Sequence, residues 1–79
     1  MPKVKARTVR LLLVDDHEVV RVGLRTVLTQ HDHVTVVGES STVAEAVRDA
    51  ARLKPDVILM DVRLPDGSGV DACREILAT

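Results

Sequence analysis

VILMDVRLPDGSG, residues 57–69, decides the fold. Val57, Ile58, Leu59 and Met60 run without a break into one carboxylate, Asp61, and Pro65, Gly67 and Gly69 follow closely. A short apolar run closed by turn residues reads as a strand buried on both faces. Asp61 then stands where that strand leaves the core. In open parallel sheets ligands bind at the carboxyl ends of strands, so a charge placed there is a candidate for chemistry as well as a turn former.

A second run has the same form. Val9 to Val14, with Leu11, Leu12 and Leu13 inside, ends in the adjacent carboxylates Asp15 and Asp16. If the two strands are parallel neighbours, three acids converge at one rim. Like charges held together repel, so a proton or a cation must relieve them. Mg²⁺ suits such a site, because it takes one or two carboxylates and completes its shell with water and phosphate oxygens.

The rest of the chain alternates helix and strand. Val20, Leu24, Val27 and Leu28 give one apolar stripe of an amphipathic helix, with Glu18, Arg21 and Arg25 on other faces, ending near Gln30. Val34 to Val37 is a short β-branched strand that Gly38 should stop. Thr42 and Glu45 are spaced as a capping box for a helix whose apolar face holds Val43, Ala46, Val47, Ala50 and Ala51. Lys54-Pro55 should end it, since the residue before proline is pushed out of the α region. Val70, Cys73, Ile76 and Leu77 mark a third helix, capped by Ser68 with Asp71 in its first turn.

Three strand–helix units with short loops give an α/β fold with a parallel sheet. Strands one and three carry the acids and should be adjacent, which fixes the order 2-1-3. With right-handed crossovers the first helix lies on one face and the other two on the opposite face. The chain direction reverses between strands one and three, which puts the acids at the topological switch point.

Composition narrows the function. The 79 residues allow one small domain, 46% hydrophobic with no aromatic side chain, so the core is aliphatic. Lys3, Lys5, Arg7 and Arg10 make the leader basic while the net charge is −1, and residues 1–8 read as a flexible basic arm before a domain at 9–79. Cys73 is the sole cysteine, which excludes an internal disulfide, and its position suggests packing. No apolar run approaches the roughly 20 residues of a membrane span. With no secretory signal either, a cytoplasmic protein is expected. His31 and His33 could ligate metal, but they precede their strand and lack a third ligand. Gly67-Ser-Gly69-Val-Asp-Ala72 fits a dinucleotide pattern, but those glycines should follow their strand directly. A phosphatase using Asp61 as nucleophile would want an acid at position 63, which is arginine.

LLLVDDHEVVRVGL at 11–24 and PDVILMDVRLPDGSG at 55–69 together resemble the receiver domain of two-component response regulators, especially those that precede a LuxR/NarL-type helix-turn-helix domain. The resemblance implies a flavodoxin-like (CheY-like) fold, and a signalling module rather than an enzyme. It implies that Asp61 accepts a phosphoryl group from a sensor histidine kinase. It also implies that Mg²⁺ is held by Asp15, Asp16, Asp61 and the backbone carbonyl of Arg63. The parent protein would be a DNA-binding transcription regulator, with no nucleic-acid binding by residues 9–79 themselves. Receivers have five strand–helix units and this chain has three, so a partial receiver is expected. Two consequences of that shortening are expected: an exposed third-strand edge and a bare first-helix face, through which copies of the chain would associate. The competing expectation is a folding or assembly fragment that keeps the acid pocket without being phosphorylated.

Overall fold

In a computed structural model, residues 8–78 are described. The basic arm expected at 1–8 lies outside them except for Thr8. The chain runs β1 (Val9–Val14), α1 (Glu18–Leu28), β2 (Val34–Ser40), α2 (Val43–Leu53), β3 (Val57–Met60), β4 (Arg63–Leu64), β5 (Gly67–Ser68) and α3 (Gly69–Ala78). The first three strands form a parallel sheet in the order β2-β1-β3, as the placement of the acids requires. No helix among the described residues is long and apolar enough to cross a membrane.

β1 is the apolar centre. Leu11 to Val14 are all buried, and strand alternation sends Leu12 and Val14 to one face and Leu11 and Leu13 to the other. Leu12 and Val14 pack with Ala46 and Ala50 of α2 and with Leu64; Val43, Leu53, Ile58, Met60 and Ile76 close around them. The alanines let α2 lie close to the sheet.

β3 departs from the reading of a strand covered on both faces. Val57 is 45% exposed and Leu59 43%. Ile58 and Met60 face the packed core, while the alternate residues stay exposed because α1 packs chiefly over β2. α1 has no buried residue at all; Leu24 and Leu28 are half-buried, and Val20 and Val27 are exposed.

Three further details differ from the sequence reading. β2 does not stop at Gly38 but continues to Ser40. The register steps from Leu11↔Val36 to Leu12↔Gly38, so Val37 is an extra residue, and the ladder absorbs it as a bulge. Gly38 is there for space: a Cβ would come within 2.6 Å of Leu53 Cδ1 and 3.3 Å of Leu12 Cδ1. α2 ends where Lys54-Pro55 should end it, with Lys54 leaving the right-handed α region for the left-handed conformation (φ 49°, ψ 60°). Its N–H bonds Ala50 O at 2.9 Å and its carbonyl accepts from Arg10 Nη1 at 3.0 Å, contacts that offset the steric cost.

Cys73 is exposed rather than packed. Of the expected stripe of Val70, Cys73, Ile76 and Leu77 only Ile76 turns inward, joined by Gly69 and Ala72 one position away from the others. Its first turn is capped as expected, with the Val70 N–H donating to Ser68 Oγ at 3.1 Å. The stretch after Asp61, expected as a plain loop, forms a small antiparallel hairpin pairing Arg63 with Ser68 and Leu64 with Gly67 around Pro65-Asp66.

α2 is tied at its start more heavily than a capping box requires. Glu45 N–H donates to Thr42 Oγ1 at 3.0 Å, as expected, but the Glu45 carboxylate reaches Ser41, accepting from its N–H and its hydroxyl at 2.8 Å each. Asp66, from the hairpin, accepts from the Val43 and Ala44 N–H groups at 2.6 and 3.0 Å. These bonds hold the Asp66 carboxyl below its ordinary value.

Asp49 is buried on α2 and accepts from the Ser40 hydroxyl at 2.8 Å, while the exposed Arg48 and Arg52 cover its other oxygen sites. Burial pushes its carboxyl up, but the bonds from Arg48, Ser40 and Arg52 outweigh that and hold it below the usual range. A lowered folded-state value contributes stability above the unfolded pKa of about 3.9, and that contribution is lost as pH falls through the folded value. Asp49→Ala strands the buried Ser40 hydroxyl and is expected to cost about 1–3 kcal/mol in urea unfolding at pH 7. The difference from the unchanged chain should shrink below about pH 4.

Candidate metal and phosphoacceptor site

The sheet register assembles the site. Val14 stands opposite Met60 on one side and Ser40 on the other. The ladders continue one residue past the strands: Asp61 N–H donates to Val14 O at 2.8 Å and Asp15 N–H to Ser40 O at 3.0 Å. Asp15 and Asp61 therefore leave the sheet side by side. Ligand atoms of Asp15, Asp16, His17 and Asp61 all lie within 4.8 Å of one another. A groove of about 330 Å³ opens beside them, with Leu13, Leu24, Leu59 and Met60 among its walls.

Each predicted site residue has a definite place. Asp15 and Asp61 are half-buried and Asp16 is exposed. Arg63 opens β4, exposed, and its N–H donates to Asp61 Oδ1 at 3.1 Å, which sets the direction of that carboxylate. Gly69 is packed against the Asp61 peptide, and its N–H donates to Val62 O at 2.7 Å. The distant His31 and His33 are exposed; the His33 carbonyl accepts from Val9 N–H at the other end of the sheet.

Three contributors escaped the sequence reading. His17 follows the acid pair directly and forms the N-cap of α1; its N–H donates to Asp15 Oδ1 at 2.8 Å. Its Nδ1 lies 2.9 Å from Asp15 Oδ1 and 3.0 Å from Asp16 Oδ1. Arg21, read as lying on a polar face, reaches back to the Asp15 carbonyl at 2.5 Å. Asp66 secures the hairpin that follows Asp61. The position of His17 beside two acids was the available signal; Arg21 and Asp66 find partners only through tertiary folding.

Electrostatics follow from these contacts. Burial pushes the Asp15 carboxyl up, but the hydrogen bonds from the His17 backbone and ring, with the charges of His17 and Arg21, hold it below its ordinary value. The His17 imidazole is raised by its bond to Asp15 and the Asp16 charge, with further help from Asp15 and Asp61. A raised His17 stabilises the fold fully below about pH 6.5 and loses that contribution as pH rises through its folded value. In the metal-free chain, melting temperature should therefore fall slightly from pH 6 to pH 8, a slope that His17→Ala removes.

Comparison with known proteins agrees with this fold. Residues 11–79 match the response regulator receiver domain family. The DNA-binding transcriptional activator DevR/DosR of Mycobacterium tuberculosis is 50% identical over 70 residues, covering 89% of this chain and 32% of that protein. Among solved structures, the response regulator domain of Thermotoga maritima CheB superposes with a TM-score of 0.88 at 38% identity, covering 91% of this chain and 54% of that one. A LuxR-family two-component response regulator from Aurantimonas sp. SI85-9A1 gives 0.86 at 38% identity, covering 90% and 51%. The chain thus spans about a third of the length of the curated relative and about half of each solved chain. A parallel sheet in the order β2-β1-β3, with its acids at one rim and a sequence match over nearly its whole length, places this chain in the receiver domain family of two-component response regulators, on the LuxR/NarL-type branch.

Proposed function

We propose that Asp61 is the phosphoacceptor for a sensor histidine kinase. The chain would serve, in the cytoplasm, as the receiver portion of a DNA-binding transcription regulator whose nucleic-acid contacts lie outside these residues. The observation that carries this reading is the convergence of Asp15, Asp16 and Asp61 on one rim. A carboxylate oxygen of Asp61 forms the new P–O bond as the donor's P–N bond breaks, and the departing imidazole takes up a proton. Phosphoryl transfer depends on positioning and charge neutralisation more than on covalent assistance. The hydrogen bond from Arg63 N–H to Asp61 Oδ1 orients the nucleophile, and the ladder bond to Val14 fixes its backbone.

The donor set suits Mg²⁺: clustered carboxylate oxygens, with Asp15 kept ionised by its neighbours. Asp15, Asp16, Asp61 and the Arg63 carbonyl would hold it, and when bound it supplies the charge neutralisation that the acids and the phosphoryl group require. The test is incubation of the chain with an acyl phosphate, with Mg²⁺ or with EDTA, followed by intact mass and hydroxylamine treatment. A hydroxylamine-sensitive phosphoryl adduct that forms only with Mg²⁺ supports the reading. A folded chain that never carries the adduct favours the inert assembly fragment, and steady release of phosphate favours the phosphatase.

We further infer that copies of this chain associate through the outer edge of β3 or the bare face of α1. Val57 and Leu59 on the outer strand, with Val20 and Val27 on the helix, leave an apolar surface that water disfavours. Leu59→Lys should shift sedimentation toward monomer, and a wild-type chain that stays monomeric at high concentration rules the association out.

A further inference from the structure

We propose that Arg21 is a positioning residue for the acid pocket: it holds the Asp15 carbonyl while Glu39 of β2 holds Arg21. This rests on the metal-site reading above. Arg21 Nη1 donates to Asp15 O at 2.5 Å, and its Nε lies 3.3 Å from Glu39 Oε1. Glu39 is fixed in turn by Arg25, whose Nη1 donates to Oε2 at 2.6 Å. The Arg21 side chain is only 18% exposed, although α1 buries no residue.

The two peptide groups that flank the Asp15 Cα are thereby both tied to the same strand. Its N–H donates directly to the Ser40 carbonyl at 3.0 Å, and its C=O is reached from the adjacent residue, Glu39, through Arg21. With both peptide groups held, the Asp15 side chain and the turn carrying Asp16 and His17 start from a set direction. The planar guanidinium addresses two acceptors at once, whereas a lysine ammonium has no such fork.

Charge and position act on cation binding with opposite signs. A positive side chain beside the pocket repels a divalent ion, so if Arg21 acted by charge alone its removal would tighten binding. If it positions Asp15, removal loosens binding despite the relieved repulsion. Partners outside the ligand shell commonly carry a tenfold or larger share of metal affinity.

Mn²⁺ titration of the 79-residue chain, read by loss of the free-ion paramagnetic resonance signal and competed with Mg²⁺, separates the two. Arg21→Met and Arg21→Lys should each weaken Mn²⁺ binding about tenfold. Glu39→Gln, which keeps the Arg21 charge but loosens its anchor, should weaken it in the same direction. Ile76→Ala, a core change on α3 beside Ala50 and Lys54 that touches neither Arg21 nor Glu39, should lower the melting temperature yet leave affinity unchanged, which separates positioning from general destabilisation. Unchanged or tighter binding by Arg21→Met overturns the proposal; should that variant not fold, the same result from Arg21→Lys or Glu39→Gln does so. A folded wild-type chain that binds no Mn²⁺, or binds it equally well as Asp61→Asn, removes the metal-site reading and this proposal together.

Discussion

Asp61→Asn should abolish phosphoryl incorporation while leaving the chain folded, and slightly more stable without metal. The amide is nearly isosteric and its oxygen can still accept from Arg63 N–H, now made at 3.1 Å to the carboxylate. What it lacks is a nucleophilic anionic oxygen, so adduct formation under identical conditions should fall by at least about a thousandfold. The stability gain comes from removing one of three clustered negative charges. Intact mass reads the first effect and thermal melting in EDTA the second. An adduct that persists in Asp61→Asn would move the acceptor to another side chain.

Gly69→Ala should have the largest structural effect. A Cβ at this position would collide with the Asp61 carbonyl oxygen and lie 3.1 Å from both Asp61 C and Val62 Cα. These are backbone atoms, unable to swing aside. The start of α3 must retreat from the β3 terminus, at an expected cost of about 3 kcal/mol or more. A chain of this size is worth only roughly 4–12 kcal/mol in total, so much of its stability goes. Gly38→Ala is the comparison: its new methyl meets the tips of Leu53 and Leu12, which can shift, and about 1 kcal/mol is expected. Urea unfolding of the two variants should rank them in that order, and the reverse order would contradict the close approach of α3 to Asp61.

Strand order and acid placement were legible because both depend on patterns local to each strand. An apolar run ending in Asp15-Asp16 and another ending in Asp61 can meet only if their strands are neighbours, and the register bears this out. Gly38 misled because glycine marks turns and close packing alike, and only the nearness of Leu53 distinguishes them. Cys73 misled by one helical position: Ile76 packs as read, but the small Gly69 and Ala72 allow close approach and turn inward with it, leaving Val70, Cys73 and Leu77 outside. The exposure of Val57 and Leu59 depends on what covers a sheet face, which a run of four residues does not encode. Asp66 was invisible because the N–H groups it caps lie 22 and 23 residues away.

The segment from Asp61 to Asp66 is fastened at both ends, to Val14 through the ladder and to the amides of Val43 and Ala44 through the Asp66 carboxylate. Added bulk at Asp61 therefore meets a stiff wall on that side. Across the pocket, Asp16 and His17 are exposed at the start of α1. Both banks of the pocket are thus tied through backbone groups, and only the outermost side chains, Asp16 and His17, stand free of the sheet's ladder.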